Sequence, residues 1–355
     1  MGTSFRGSRF PSHGGNAGSN PAGVTIAKPP VVHGGFADTG SSTRNASEYS
    51  HGTLDDRRLD RDRTSPIATV AIVGTGLMGH GIARAFAAGD WSVVLWDSHS
   101  AALDQAVATV NADRPNAARA ATSLEESVSA ADVIVEALPE QLGLKRAFLA
   151  EVDRYNTAAI VTSNTSAIRI TDIAAESDYA HRVVGTHWWN PPHIINVVEV
   201  AGGDRTDPAV RATAVEHLTA LGKQVIVVEK DVNGFIGNRM QFALWREAMS
   251  MLENGVADAR TIDTVARETF GRRLAAMGPL ENADYIGLDL TRSILGWILP
   301  TLSADTTPSR LLDAAVTSGE LGAKSGQGLL EWRDGDRERA KARLEQHLLG
   351  TTPSP

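Results

Sequence analysis

The sequence predicts an α/β chain, with a doubly wound, mostly parallel sheet over residues 67–230 and an all-α domain over 231–333. Three observations carry this. A strand, a glycine loop and a helix follow one another as IATVAIV (67–73), GTGLMG (74–79) and HGIARAFAAG (80–89). Strand and helix patterns then alternate up to residue 231, the signature of a sheet covered by helices on both faces. From Asn233 the apolar period becomes helical and no further strand pattern occurs.

The elements follow in order. WSVVLWD (91–97) is a strand ending in Asp97. AALDQAVATVNADRP gives a helix that stops by Pro115, and TSLEESVSAA a second, short one. ADVIVEAL (131–138) is a strand and LKRAFLAEVDRY (144–155) an amphipathic helix. AAIVTSN (158–164) is a strand and IRITDIAAE (168–176) a short helix. RVVGTHWW (182–189) and NVVEVA (196–201) are strands. DPAVRATAVEHLTALG (207–222) is a helix with Pro near its start and Gly after its end. KQVIVVEKD (223–231) closes the series, and antiparallel strands are expected at this edge. Beyond it lie helices at 234–255, 258–271, 281–300 and 308–318, and a helical or frayed tail at 334–355.

Composition narrows the function classes. The 355 residues leave room for two domains, and 42% of them are apolar, enough for a sizeable core. A net charge of −8 argues against a nucleic-acid partner, which needs a basic face. The lack of Cys excludes disulfides, thiolate metal sites and Cys nucleophiles. The 10 His include no H-x-x-x-H pair on a credible helix, so no metal is expected. No apolar run reaches membrane-spanning length, and a cytoplasmic protein is the default. Residues 1–66 differ: Gly, Ser, Asn and Pro dominate, and LDDRRLDRDR is a solvated charge run. This leader is expected to be disordered. It lacks the apolar core of a secretory signal, and its Gly opposes a transit-peptide helix. An alternative reading places the natural start near residue 60.

The glycine loop points to a dinucleotide. Gly74 permits the tight turn, Gly76 leaves room for a pyrophosphate, and Gly79 lets helix and strand pack closely. Gly74, Thr75, Gly76, Leu77, Met78 and Gly79 therefore form the candidate phosphate turn of a Rossmann-type domain, at a helix N-terminus. Asp97, 18 residues past Gly79, is placed to bond the ribose hydroxyls of NAD, and no Arg follows it to favour NADP.

In such a sheet, ligands sit at the carboxyl ends of the strands. Ser166, His187, Asn190 and Glu199 fall there, and Asn238 can face the cleft from the helical domain. Alcohol oxidation needs a base that can take and return a proton at neutral pH, as His can. A Glu in an otherwise apolar strand needs a partner, and His187 is the obvious one for Glu199. Each residue also has a plain reading: a core His, an edge-strand Glu, a helix-capping Ser166 and a turn at Asn190 before Pro191.

At this point the chain resembles the 3-hydroxyacyl-CoA dehydrogenases. GTGLMGHGIA, EALPEQLGLKRAFLAEVD, SNTSAIRITDIA, GTHWWNPPHIINVVEV, GFIGNRMQFALWREAM, MGPLENADYIGLD and GAKSGQGLLEW carry the likeness, over 67 to about 333. The resemblance implies His187 as general base, Glu199 as its partner, and Ser166 and Asn238 as holders of the substrate oxygens. It implies Asn190 beside the nicotinamide and Glu140, Lys145 and Lys324 as further NAD contacts. It implies NAD-dependent oxidation of an L-3-hydroxyacyl-CoA to the 3-oxoacyl-CoA, within fatty acid metabolism, by a homodimer joined through the helical domain. Two departures keep open an alternative, a small free 3-hydroxy acid of the gulonate or carnitine type. Only 38 residues (98–135) lie between Asp97 and Glu136, too few for the helical arm that covers coenzyme A. Trp188 and Trp189 also stand where the acyl-CoA enzymes have Phe, and are expected to shape the pocket floor together. A non-catalytic NAD-binding relative is a further alternative, disfavoured by the intact base and carboxylate. A Lys-dependent 3-hydroxyisobutyrate-type enzyme is disfavoured by a missing K-x-x-N spacing.

Overall fold

The computed structural model describes residues 68–350. The expectations for the leader, and for the last five residues of the tail, lie outside them. Eight strands form one sheet: β1 (Thr69–Val73), β2 (Ser92–Trp96), β3 (Ala118–Ala120), β4 (Val133–Glu136), β5 (Ile160–Ser163), β6 (Val183–Trp188), β7 (Val197–Gly202) and β8 (Gln224–Val228). Their order is β3-β2-β1-β4-β5-β6-β7-β8. The first six are parallel, β7 is antiparallel to β6, and β8 runs parallel to β7. The expected antiparallel edge is therefore present.

Alternation along the strands separates two cores. One face carries Ile72, Leu95, Val135, Val184 and Trp188, covered by α1 (Leu77–Ala88), α2 (Ser100–Asp113) and α6 (Pro208–Ala220). The other carries Ala71, Ile134, Val161 and Val183, covered by α3 (Leu124–Val128), α4 (Leu142–Tyr155) and α5 (Ile170–Ile173). Near-continuous apolar strands are what a sheet buried on both faces requires.

Two local expectations need correction. β3 has the sequence ARA, too short to show any period. The helix expected over 168–176 shrinks to the four residues of α5. Three of the four are β-branched, which stiffens χ1 and lowers helix propensity. The first N–H groups of α5 are taken instead by the Asp231 carboxylate, from Ile170 (3.2 Å) and Thr171 (2.8 Å).

One ion pair is wholly inside. Lys145 is 0% exposed and Glu136 1%. The Lys145 ammonium donates to both Glu136 oxygens, at 2.8 and 3.0 Å, and Ser163 Oγ donates to Oε2 at 2.5 Å. The pair ties the start of α4 to the carboxyl ends of β4 and β5.

The chain continues as α7 (Gly237–Glu253), α8 (Ala259–Glu268), α9 (Phe270–Leu274), α10 (Pro279–Ile286), α11 (Leu288–Ile298), α12 (Arg310–Thr317) and α13 (Asp336–Gly350). Within these helices Asn238 alone is buried. Leu280, Tyr285 and Trp297 are 83%, 78% and 81% exposed. Among the described residues no helix is long and apolar enough to cross a membrane.

The buried pair gives a stability test. Lys145→Met strands the Glu136 carboxylate without its cation, and removing one partner of a buried pair costs about 3–5 kcal/mol. Urea denaturation should therefore show a large fall in the unfolding free energy. An unchanged midpoint would contradict the pairing.

Candidate active site

Strand β1 delivers the glycine loop to α1. Gly74 has φ +92°, and a Cβ there would lie 2.6 Å from the Ala137 carbonyl oxygen. A Cβ on Gly79 would lie 1.8 Å from the Gly74 oxygen, so neither position accepts a side chain without rebuilding the loop. A Cβ on Gly76 would meet nothing within 4 Å. Open space thus faces the start of α1, whose first turn has no side-chain cap. These are the features a pyrophosphate needs: free N–H groups, a positive dipole end and close backbone approach. At the end of β2, Asp97 Oδ2 accepts from Thr75 N (2.7 Å) and Thr75 Oγ1 (3.0 Å), and Oδ1 from His99 N (2.9 Å). Burial alone would raise the Asp97 carboxyl, but the bonds from Thr75 and His99 outweigh it and hold it below its ordinary value. Asp97 is thus an ionised acceptor beside the phosphate turn, and the loop fits a dinucleotide.

The second half of the site comes from the β6–β7 hairpin. Its register places His187 directly opposite Glu199. His187 Nδ1 and Glu199 Oε2 are 2.8 Å apart, and both side chains are about as buried, at 4% exposure. Glu199 Oε1 accepts from Ile236 N (2.9 Å) and Gly237 N (3.1 Å) at the start of α7. Burial pushes the Glu199 carboxyl up, but the bonds from His187, Gly237 and Ile236 bring it below its ordinary value. A carboxylate has no proton to give, so the network assigns the imidazole hydrogen to Nδ1 and the lone pair to Nε2. Asn238 Nδ2 lies 3.3 Å from Nε2 and donates at 2.9 Å to the Ser166 carbonyl. The structure thus brings His187, Glu199 and Asn238 together, with Ser166 joined through its backbone carbonyl.

The other expected residues divide. Glu140 lies beside Ser166: its Oε1 accepts from Thr165 Oγ1 (2.6 Å), Ser166 N (3.0 Å) and Ala167 N (2.8 Å). Burial opposes ionisation of Glu140, but the Thr165 bond, the Lys145 charge and the Ala167 N–H hold its carboxyl below the ordinary value. Lys145 is sealed between Glu136 (2.8 Å) and Glu140 (3.2 Å), and its ammonium offers no exposed surface. Lys324 is exposed in the turn between Gly322 and Gln327, and among the described residues it joins none of the hydrogen bonds around His187. Asn190 is exposed just beyond β6. The loop after it is held by Lys223, buried, whose ammonium donates to Pro192 O (2.8 Å) and Ile195 O (3.1 Å). Burial lowers the Lys223 ammonium from its ordinary value.

The Trp pair needs correction. Successive strand residues face opposite ways, so Trp188 points away from His187 into the α1–α6 core, 2% exposed, 6.3 Å from the Phe86 ring. Trp189 alone reaches the site, edge-on to His187 at 4.9 Å. It lies over Gly237, where a Cβ would come within 2.2 Å of the indole. Phe235, which the sequence did not single out, stacks on the imidazole. The one available signal was Gly185 in the middle of a strand.

Fold and site together define an NAD-dependent dehydrogenase acting on a CH–OH group. Residues 69–232 match the 3-hydroxyacyl-CoA dehydrogenase NAD binding domain, and residues 234–332 match the C-terminal domain of the same family. The 5-formyl-3-hydroxy-2-methylpyridine 4-carboxylate 5-dehydrogenase of Mesorhizobium japonicum is 35% identical over 278 residues, covering 74% of this chain and 90% of the relative. The L-carnitine dehydrogenase of Streptomyces griseus is 39% identical over 229 residues, 60% of this chain and 68% of the relative. A crystal structure of the former activity, described as an NAD+-dependent dismutase, superposes with TM-score 0.75 at 31% identity, covering 80% of this chain and 97% of that one. The (S)-3-hydroxybutyryl-CoA dehydrogenase from Ralstonia eutropha gives TM-score 0.61 at 34% identity, covering 76% and 100%. The chain belongs to the 3-hydroxyacyl-CoA dehydrogenase family.

The lowered Glu199 carboxyl sets a pH dependence. Its ordinary value is 4.5 and its folded value lies below. The stability it contributes is therefore complete above the ordinary value and is lost as pH falls through the folded one. Glu199→Gln should cost about 1.5–3 kcal/mol near neutrality, as for a hydrogen bond to a charged group. It should cost less in acid, so the urea midpoints of the two proteins converge as pH drops. A constant gap across that range would show that the carboxylate charge is not what the folded state uses.

Proposed function

We propose that the chain oxidises the secondary alcohol of a compact hydroxy acid that carries no coenzyme A. The hydroxyl proton goes to His187 Nε2, Glu199 stabilises the imidazolium that forms, and the carbon's hydride leaves in the same reaction. NAD, held by the loop Gly74–Gly79 and Asp97, supplies the hydride acceptor. Asn238 and Ser166 hold the substrate oxygen against Nε2, and Asn190 borders the nicotinamide end. Loss of one hydride and one proton turns the alcohol into a carbonyl and NAD into NADH.

The observation that carries this reading is the segment between β2 and β4. It holds α2, which packs onto the sheet through Leu103, Ala106 and Val110, then the three-residue β3 and the five-residue α3. Each of these returns to the body of the domain, leaving no projecting arm for a CoA nucleotide. Trp189 adds to it by filling space beside His187 and over Gly237. The relatives named for a pyridine carboxylate and for L-carnitine support the same class. An L-3-hydroxyacyl-CoA is the second reading, favoured by the family description and by the Ralstonia enzyme.

The protein is also proposed to act as a homodimer. Helices α8–α12 present apolar stripes yet bury no residue within the chain. Apolar surface of this extent marks an interface.

Two measurements check these proposals. NADH formation should be followed with L-carnitine, L-gulonate, 3-hydroxybutyrate and 3-hydroxybutyryl-CoA. A free acid should exceed the thioester in kcat/KM by at least about tenfold, or about 1.4 kcal/mol of transition-state binding. Turnover of the thioester alone would overturn the compact-substrate reading. Sedimentation should show a two-chain species, dissociated by Trp297→Glu, whereas a monomer at micromolar concentration would refute the dimer.

A further inference from the structure

We infer that Phe235 is a positioning residue for the base, its ring fixing the plane in which His187 Nε2 meets the substrate. This rests on His187 acting as the base. The bond from Nδ1 to Glu199 fixes one point of the imidazole. The Asn238 amide, 3.3 Å from Nε2, touches a second, but both contacts are at ring nitrogens and neither bears on the ring face, while the χ2 torsion of His is broad. A flat face laid on the ring removes that freedom.

Four observations place Phe235 in this role. Its ring is stacked on His187, with centroids 5.1 Å apart and planes 23° from parallel. It is 2% exposed, packed with Ala201 and Val228 on the inner side of the sheet edge. Its backbone has φ +52°, the left-handed region that bulky residues rarely adopt. Such a conformation is strained and persists where the surroundings impose it, most often at functional sites. Finally, β6 carries no side chain at Gly185, where a Cβ would lie 2.7 Å from Ile170 Cδ1 and 3.1 Å from Phe235 Cζ, so both side chains pack close to the strand. A Gly inside a strand weakens it and marks close approach by another group.

The Trp189 indole is a second ring neighbour of the imidazole, tilted 63° to it with centroids 4.9 Å apart. The imidazole thus has two aromatic neighbours, Nδ1 is taken by Glu199, and Nε2 is the nitrogen that faces the Asn238 amide. An aromatic face also attracts the imidazolium more than the neutral ring, favouring the state that exists once the proton has been taken.

The test is Phe235→Leu, which keeps apolar bulk and loses the flat face, made alone and with His187→Ala. The assay uses the fastest of 3-hydroxybutyrate, L-carnitine and 3-hydroxybutyryl-CoA. Phe235→Leu should lower kcat by about 10²-fold, the scale of a misplacement near 1 Å, with KM for NAD unchanged. It should cause no further loss once His187 is Ala, because the two act as a unit. With labelled histidine, the ring proton resonance that disappears in His187→Ala should move downfield in Phe235→Leu as the ring current is lost. That reading needs no substrate. Should Phe235→Leu not fold, Phe235→Met, which likewise keeps apolar bulk without a flat face, should give the same pattern. Unchanged kcat in the folded variant, an equal loss in both backgrounds, or an unmoved His187 resonance would each overturn the inference. Full activity in His187→Ala would instead overturn the base reading, and this inference with it.

Discussion

The contact between His187 and Glu199 depends on sheet register, and much else depends on that contact. The two residues are cross-strand partners in the one antiparallel pair of the sheet. A slip by one residue would turn both to the other face. The partnership sets the imidazole tautomer, and the same carboxylate receives the first N–H groups of α7. One buried acid thus joins the strand that carries the base to the helix that carries Asn238. The orientation of the imidazole and the start of α7 thus share one set of hydrogen bonds.

The same device recurs at the carboxyl ends of neighbouring strands. Asp97 at the end of β2 holds Thr75 of the glycine loop, Glu136 at the end of β4 holds Lys145, and Glu140 gathers the N–H groups of the 165–168 turn. In each case an ionised acceptor is satisfied by several donors, which is the condition for leaving such a group inside at all. The loops that line the cleft are thereby held by the strands rather than left to their own preferences.

How much of this could be read in advance follows from the kind of signal each part leaves. The glycine loop was legible because each glycine answers a distinct steric demand, and Glu199 because a carboxylate among valines needs a partner. The Trp pair misled because adjacency in sequence means opposition across a strand, so Trp188 is core and Trp189 alone is at the site. Lys145 was expected, from the resemblance, to be a cofactor contact. Its burial depends on Glu136 of another element, which no local pattern reports. Phe235 was invisible for a similar reason: its position follows from a left-handed backbone and from Gly185, fifty residues earlier. The helical region was readable as helices, while its lack of internal burial emerged only from their packing.

The central claim is that His187 Nε2 takes the alcohol proton. The most direct measurement is a crystal structure of the protein with NADH and the oxo product of its fastest substrate. If His187 Nε2 takes the proton, the product carbonyl oxygen lies within about 2.6–3.2 Å of it, the reach of proton transfer, with Nδ1 still bound to Glu199. A carbonyl directed at any other side chain, or an imidazole turned away from Glu199 in that complex, would contradict it.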